Sequence, residues 1–341
     1  MKIKVAIVIL NWNGKAYLER FLPSVVEYST NPSYSIVVAD NNSSDDSLSY
    51  VKENYPQIEI IVFNKNHGFA RGYALALPQI DAEYYVLLNS DVEVTEGWLD
   101  PLIKLMDGNQ NIAAVMPKMR SYNHREYFEY AGAAGGYIDK YGYPFCQGRM
   151  LTNIEKDEGQ YNEIKEVFWA SGACMFLRSS AYSRTGGFDG DFFAHMEEID
   201  LCWRLKRLGY SVYYCPDSVV YHVGGGTLPN DNPRKLYYNY RNSLYLLFKN
   251  VRRYGFFTTI IPRMFLDCIS ALLYLLQGKI SFCFSVVRAH LRFYLSLHRL
   301  INKRRIFNRI IAMNQVTGIY PKSIVFQFFV KRKKTFRQLD F

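Results

Sequence analysis

Tyr84-Tyr85-Val86-Leu87-Leu88-Asn89-Ser90-Asp91-Val92-Glu93-Val94 is the stretch around which the chain is organised. Its first five residues are apolar or aromatic with no polar break, the pattern of a strand buried on both faces of a mostly parallel sheet. The run stops at Asn89-Ser90-Asp91, a polar cluster at a strand's carboxyl end. In open α/β sheets ligands sit at that edge. A carboxylate there can hold a hard divalent cation, and the cation can hold phosphate oxygens. Alone, the cluster is also an ordinary polar turn, so its neighbours decide the reading.

Three similar units precede it. Val5 to Leu10 is a continuous apolar run that ends in Asn11-Trp12-Asn13-Gly14, and a helix is expected from Ala16 to about Tyr28. Ser35 to Ala39 is a second strand, ending in Asp40-Asn41-Asn42-Ser43-Ser44-Asp45, with Ser44 or Asp45 expected to cap a helix that runs to Asn54. Ile58 to Phe63 is a third, followed by an Asn64–Gly72 loop and a helix near Tyr73 to Gln79. Strands alternating with helices at this spacing predict a doubly wound α/β half. Every strand ends in a polar or glycine-rich loop on one edge, which reads as a nucleotide-binding crevice. No G-x-G-x-x-G follows Leu10 and there is no Walker A sequence, so a dinucleotide fold and a P-loop enzyme are both unsupported.

Beyond the organising strand, a helix is expected from Trp98 to Met106 and a strand near Ala113 to Pro117. Residues 120–165 carry no readable pattern. Phe168 to Arg178 reads as a loop carrying Gly172 and then a strand. Glu197-Glu198-Ile199-Asp200 leads into a helical repeat at Leu201, Leu205 and Leu208, with Gly209 suited to its end. Tyr210 to Tyr214 is a further strand, and Val219 to Val223, with His222, precedes a flexible Gly224-Gly225-Gly226.

Charge divides the chain unevenly. Residues 231–341 hold 21 Lys and Arg against 3 Asp and Glu, whereas residues 1–230 are net acidic. A basic part beside an acidic one points to an anionic partner, nucleic acid or membrane. The basic part is also rich in Leu, Ile, Phe and Tyr and has no RRM or KH signature, which favours membrane over nucleic acid. The six cysteines have no zinc-type spacing and are expected to pack as small apolar side chains in a reducing compartment. The apolar run before Asn11 is too short for a signal peptide, so the first 230 residues are expected in the cytoplasm.

Five blocks, in order, resemble glycosyltransferase family 2, the inverting GT-A enzymes, and especially its bacterial rhamnosyltransferase-like branch. They are V-A-I-V-I-L-N-W-N-G, V-V-A-D-N-N-S-S-D, N-H-G-F-A-R-G, L-L-N-S-D-V, and G-G-F-D-G-D-F-F-A-H-M-E-E-I-D-L-C-W-R followed by His222. The resemblance covers about residues 4 to 250. It implies an α/β GT-A nucleotide-diphospho-sugar transferase fold with a Rossmann-like, mostly parallel central sheet. A catalytic domain would span 1–230, its donor half about 1–117 and its acceptor half about 118–230, before a helical, membrane-associating region at 231–341.

The same resemblance implies roles. Asp40 would contact the nucleobase and ribose, and the loop of Asn66, Gly68, Arg71 and Gly72 would let backbone approach the donor. Asn11, Asn13, Asn42, Asn89 and Ser90 complete the donor side. The family's D-x-D element is matched by Asn89-Ser90-Asp91, so the first acid is missing. Asp91 would ligate Mg²⁺ or Mn²⁺, and His222 would complete the metal shell or touch the diphosphate. The E-D-x-D block is matched by Glu197-Glu198-x-Asp200, with Glu198 as general base in place of the usual Asp. Trp169, Gly172, His195 and Arg204 would lie on the acceptor side, Arg204 pairing with the acids.

The chemistry implied is transfer of a sugar, rhamnose for example, from a UDP- or dTDP-sugar to a lipid-linked glycan at the cytoplasmic face of the inner membrane. A soluble or protein acceptor, or a degenerate binding protein, are the alternatives. For the basic part, which starts at Arg234, residues 236–250 are expected to form an amphipathic helix. Phe256 to Val287, whose most apolar window is Cys268 to Val287, gives one span, two interfacial or re-entrant helices, or an ordinary soluble helical subdomain. Arg288, Arg292, Arg299 and Lys303-Arg304-Arg305 would face anionic headgroups, and Lys331 to Lys334 would form a solvated basic tail.

Overall fold

In the computed structural model the described residues are 3–224, 232–251, 255–310 and 316–341. The strands are β1 (Ile3–Asn11), β2 (Tyr34–Asp40), β3 (Glu59–Val62), β4 (Ala82–Asn89), β5 (Val92–Val94), β6 (Ile112–Ser121), β7 (Gly136–Asp139), β8 (Pro144–Cys146), β9 (Arg149–Met150), β10 (Asn153–Ile154), β11 (Lys165–Val167), β12 (Cys174–Arg178), β13 (Ser211–His222) and β14 (Ile319–Tyr320). The helices are α1 (Lys15–Glu27), α2 (Ser47–Asn54), α3 (Gly68–Ala76), α4 (Asp100–Gly108), α5 (Ser179–Arg184), α6 (Glu197–Arg207), α7 (Pro233–Asn250), α8 (Ile261–Leu276), α9 (Ile280–Leu295), α10 (Leu297–Ile310) and α11 (Ile324–Phe329).

The main sheet runs β11-β13-β6-β12-β4-β1-β2-β3, with β5 on β13. Its donor side is as the apolar runs require: β3, β2, β1 and β4 are parallel, and Val5 to Val8 are fully buried. The whole sheet, however, is mixed rather than mostly parallel. β12 lies antiparallel between β4 and β6, while β11 and β5 are antiparallel to β13. An apolar run records burial on both faces but not direction, which is why β12 could not be oriented from its residues. The direction matters for function. Because β12 starts where β4 ends, Ala173 accepts a hydrogen bond from the Asn89 amide (2.9 Å), so the Gly172 turn meets the Asn89–Asp91 end.

Several boundaries differ from expectation. Asp46, not Ser44 or Asp45, is the cap residue of α2, although the Asp45 carboxylate accepts from the Ser47 amide at 3.1 Å. Helix α3 starts at Gly68, five residues before the expected Tyr73, so the glycine loop is the first turn of a helix. Residues 136–154, joined by β14 from the basic part, form a second sheet, β10-β9-β8-β7-β14, which the unpatterned sequence hid. The basic tail is not simply solvated. Phe336 and Phe341 join Tyr137, Phe145 and Tyr320 in one aromatic cluster, and the Lys334 ammonium lies 3.5 Å from the Phe328 ring centre. Four cysteines are buried, but Cys268 is exposed and Cys283 half-buried, so the uniform packing expectation fails for these two.

The expected helix over 236–250 is α7, but it is not the start of a separate region. Its inner face carries the buried Arg241, Asn242, Lys249 and Asn250 into the catalytic part. The Cys268–Val287 window is broken at Gln277-Gly278-Lys279, where the chain reverses; Gly278 adopts φ +73°. The helix long and apolar enough to cross a membrane is instead Phe256–Leu276. Three cations expected at headgroups bind protein: Arg299 pairs with Asp191 (3.0 Å), Lys303 with Asp189 and Asp191, and Arg304 donates to the Phe248 and Val251 carbonyls. Of the expected flexible glycines, Gly225 and Gly226 lie outside the described residues.

Candidate active site

The carboxyl ends of β1, β2 and β4 gather the predicted donor residues. Asp40 is fully buried at the end of β2, where its carboxylate accepts from Asn11 Nδ2 (3.1 Å), the Ser43 amide (2.9 Å) and the Ser43 hydroxyl (2.6 Å). Asn13 is exposed, and its Oδ1 accepts from the Ser44 amide at 2.7 Å, closing the loop over Asp40. Asn42 is exposed in a left-handed conformation, φ +65°, away from this network. Its neighbour Asn41, not anticipated, is buried instead and ties the β2 end to α3, donating to Asn66 Oδ1 (3.2 Å) and the Gly68 carbonyl (3.1 Å). An alternating run of Asn offered no signal to choose between the two.

The glycines serve packing at least as much as donor access. Gly68 has φ +74°, and a Cβ there would lie 2.7 Å from the Phe193 carbonyl oxygen. Gly72 is buried against Leu10, whose methyls would meet a Cβ at 2.8 and 2.9 Å, so it sets the spacing of α3 on β1. Arg71 is exposed and its stem covers Gly190.

At the β4 end, Asn89 and Ser90 are half-buried and Asp91 is buried. Strand β13 pairs with β5 and brings His222 back to Asp91, with Nε2 3.1 Å from Asp91 Oδ1. The other ring nitrogen, Nδ1, lies 3.2 Å from Oε1 of the buried Glu129, a residue that sequence reasoning missed. Burial opposes charge on His222, but the Glu129 and Asp91 carboxylates outweigh it and push the ring up to about 10. Burial likewise opposes ionisation of Asp91, and His222 outweighs it, holding the carboxyl below its ordinary range.

The Asp91 carboxylate suits a hard divalent cation, and His222 would join it once the ring gives up the proton it shares with Asp91, since only neutral imidazole ligates a metal. Among the described residues no group of three His, Cys, Asp or Glu is arranged to hold an ion. Asp91 and His222 would therefore supply two positions and leave the rest to diphosphate oxygens and water, the usual pattern for Mg²⁺ with nucleotides.

Across the Gly172 turn stand the acids of α6. Three residues before the helix are left-handed: Phe193 (φ +65°), His195 (+70°) and Met196 (+72°). Such backbone costs on the order of 1 kcal/mol or more per residue and persists only when its surroundings hold it. Here the hold comes from α7. Asn242 Nδ2 lies within reach of the carbonyls of Phe192 (2.9 Å), Ala194 (2.8 Å) and His195 (2.7 Å), and Arg241 donates to Asp191 and Phe192.

Glu198, half-buried, is pushed up to about 7 by burial, and its Oε2 has no hydrogen-bond partner. An ideal Cβ on Gly172 would lie 3.1 Å from the Phe69 ring and 3.8 Å from the Glu198 Cβ, so the turn packs closely on Phe69 and touches the base of the Glu198 side chain. Glu197 is buried and raised well above the ordinary range by burial and by the neighbouring Glu198. His195 is half-buried; burial and the Lys235 charge push it down to about 4, so it is neutral at pH 7, and its Nε2 has no partner.

Three predicted residues stand apart from this opening. Asp200 is fully buried, bound to Arg204 (2.9 Å), Lys249 (2.9 Å) and Asn250 (2.8 Å), so its oxygens hold α6 to α7. Arg204 is also fully buried and donates to the Thr185 and Gly187 carbonyls, which makes it a clamp rather than an acceptor contact. Trp169 is buried with its indole on Gly136 and Nε1 on the Tyr137 carbonyl (2.9 Å). Each is covered by a different element: α7 closes over Asp200, the Phe307 ring centre on α10 lies 5.2 Å from the Arg204 guanidinium, and the second sheet covers Trp169.

Residues 6–186 match the profile of Glycosyl transferase family 2, more than half of the chain. The chain belongs to glycosyl transferase family 2. Among its relatives, an N-acetylglucosaminyl-diphospho-decaprenol L-rhamnosyltransferase of Mycobacterium tuberculosis is 26% identical over 230 residues, covering 63% of this chain and 75% of the relative. Rhamnosyltransferase WbbL of Escherichia coli is 26% identical over 218 residues, 62% of this chain and 80% of that one. The fold is shared with GalNAc-T7, solved with UDP, GalNAc and Mn²⁺, at a TM-score of 0.57 and 16% identity over 72% of this chain. The match spans only 47% of the GalNAc-T7 chain. A mannosyltransferase of Pyrobaculum calidifontis, solved with GDP-Man and Mn²⁺, gives 0.51 at 13% identity, covering 91% of this chain and 86% of that one. As a family 2 enzyme the protein is a glycosyltransferase that uses a nucleotide-sugar donor.

Proposed function

We propose that this glycosyltransferase inverts the anomeric centre while moving a sugar, rhamnose in the first instance, from a UDP- or dTDP-sugar to a lipid-linked glycan. The acceptor would be met at the cytoplasmic face of the inner membrane, which the basic C-terminal helices approach. Asp40, with Asn11 and Ser43 fixing its carboxylate, binds the base and ribose, and Asn89 and Ser90 line the ribose side. Asp91 and His222 would hold Mg²⁺ or Mn²⁺, which when bound offsets the charge that builds on the departing diphosphate. Glu198 takes the proton from the acceptor hydroxyl on the opposite face of the donor sugar. A base whose pKa lies near the operating pH is best matched to that task. Glu197, protonated, and neutral His195 flank it as hydrogen-bonding groups.

The observation that carries this reading is the half-buried Glu198 carboxyl, unpartnered at Oε2 and held near neutrality, beside the turn that meets the Asp91 strand end. Calorimetric titration of UDP and dTDP with Mn²⁺ or Mg²⁺ tests it. Metal-dependent binding lost in Asp91→Ala but retained in Glu198→Gln, whose turnover falls about 10²–10⁴-fold, is the expected pattern. Failure of both nucleotides to bind overturns the donor assignment. The preferred nucleotide narrows the donor, and product stereochemistry decides inversion.

A further inference from the structure

Helix α8 and the turn Phe256–Ile260 before it form a helix long and apolar enough to cross a bilayer, yet its inner face is fastened to the folded protein from Ile260 to Ala271. Arg263, Asp267 and Ala271 recur every four residues on that face and are buried. Arg263 pairs with Asp267 (2.8 Å), its guanidinium lies 3.8 Å from the Tyr143 ring centre, and the Tyr143 hydroxyl reaches Asp267 at 3.2 Å. One turn further on, Ser270 hydrogen-bonds Tyr240 of α7. Helix α9 returns antiparallel and buries Val286, Ala289 and Phe293, the last against Tyr245 and Phe248 of α7. Neither helix can leave α7 without exposing a buried ion pair and an aromatic core.

The outer face is the opposite in character. Phe257, Phe265 and Leu276 on the first helix and Phe284 and Leu295 on the second are each 66–79% exposed, forming one apolar stripe across the hairpin. Exposed Lys279 stands at its turn, and exposed Arg288 and Arg292 follow nine and thirteen residues further along α9. From residue 255 to 310 there are nine Lys and Arg and one carboxylate, Asp267, which is buried. An apolar stripe rimmed by cations and free of exposed acid fits an anionic lipid surface. A second copy of the same surface would set cation against cation.

We propose that the α8–α9 hairpin lies flat in the interface of an anionic membrane, its outer stripe among the acyl chains, and that no helix of the hairpin crosses the bilayer. This deepens the membrane reading given above, but its test uses neither donor nor acceptor, so the two fail independently.

The experiment uses the full-length chain with vesicles of phosphatidylcholine, with and without phosphatidylglycerol. Binding is expected to require phosphatidylglycerol and to weaken with salt. The double variant Phe265→Glu/Leu272→Glu, both on the exposed face, should weaken it on the order of 100-fold with an unchanged melting temperature. Depth is then read from bimane on Phe257→Cys, Phe265→Cys or Leu276→Cys, each with Cys268→Ser and Cys283→Ser, using lipids quenched at shallow and deep carbons. A flat hairpin gives one shallow depth at all three positions. A crossing helix about 31 Å long would put Phe265 near the bilayer centre and an end near each surface, and that result overturns the proposal. So does absence of vesicle binding, or a lipid-free dimer that the Glu variant dissociates.

Discussion

Replacing Lys249 with Met tests whether α7 is part of the catalytic domain or an appendage to it. The Lys249 ammonium is buried 2.7 Å from Asp189 and 2.9 Å from Asp200. Methionine keeps most of the stem's volume, so the loss is that of charge. Removing one partner from a buried pair typically costs about 3–5 kcal/mol. Here Asp189 keeps Lys303 and Asp200 keeps Arg204, which places the expectation at the lower end, about 3 kcal/mol. For a chain of this size that is a fall in Tm of roughly 6 °C. Burial alone would raise both carboxyls, but Lys249 outweighs it, aided by Lys303 at one and Arg204 at the other, and holds both low. Groups with depressed folded pKa contribute stability above their unfolded value of 3.8, and that stability is lost as pH falls through the folded value. The difference between wild type and Lys249→Met should therefore be complete at pH 7 and shrink below about pH 4. Thermal unfolding at both pH values measures it. A loss under about 1 kcal/mol, or one equally large in acid, would refute the buried-network account.

Three further outcomes follow from the same geometry. Asn242→Leu leaves the Ala194 and His195 carbonyls without their side-chain donor and Phe192 with Arg241 alone as side-chain donor, so kcat should fall at least tenfold while nucleotide affinity in calorimetry changes little; equal losses in both would argue a general folding defect. Gly68→Ala places a Cβ against Phe193 on left-handed backbone, costing roughly 1–2 kcal/mol from the backbone alone, and should weaken nucleotide binding by shifting the start of α3. For Glu198, burial pushes the carboxyl from 4.5 to about 7, so kcat should rise with pH through about 7. The native state then binds more protons than the unfolded chain between about pH 4.5 and 7, and stability falls as pH rises across that window. Glu198→Gln should abolish the acid limb of kcat and reduce this slope without removing it, because burial raises Glu197 as well; an unchanged slope in a pH series of melting curves would assign it elsewhere.

The donor half was legible because its signals are local. A buried parallel strand writes itself as an unbroken apolar run, and the polar residue that ends it must sit at the sheet edge, so Asn11, Asp40 and Asp91 could be placed before any coordinates. Glycine was harder. Gly68 and Gly72 were read as loop residues for close ligand approach, whereas one occupies left-handed backbone under Phe193 and the other lets α3 settle on Leu10. Both uses demand a missing Cβ, and a single sequence does not distinguish them. The second sheet failed for a different reason: its strands are two to four residues long, too short for alternation to show, and one of them comes from residue 319.

The charged residues mark the boundary of what a sequence can say. Glu197, Glu198 and Asp200 stand within one helical turn with similar chemistry, yet one is unpartnered at Oε2 near neutrality and another is bound by three groups. The difference is made by residues 49 and 50 positions away, Lys249 and Asn250, on a helix whose sequence reveals only that it is amphipathic. Amphipathic period tells that a helix has a buried face; it does not tell what that face meets. A helix read as the beginning of a membrane region is thus also the element that fixes the strained backbone ahead of Glu198. Its outer side carries the hairpin with the apolar stripe, so the same eighteen residues join the surface proposed to meet lipid to the loop that presents the proposed base. Division of the chain near residue 231 by composition separates two halves that the fold uses as one.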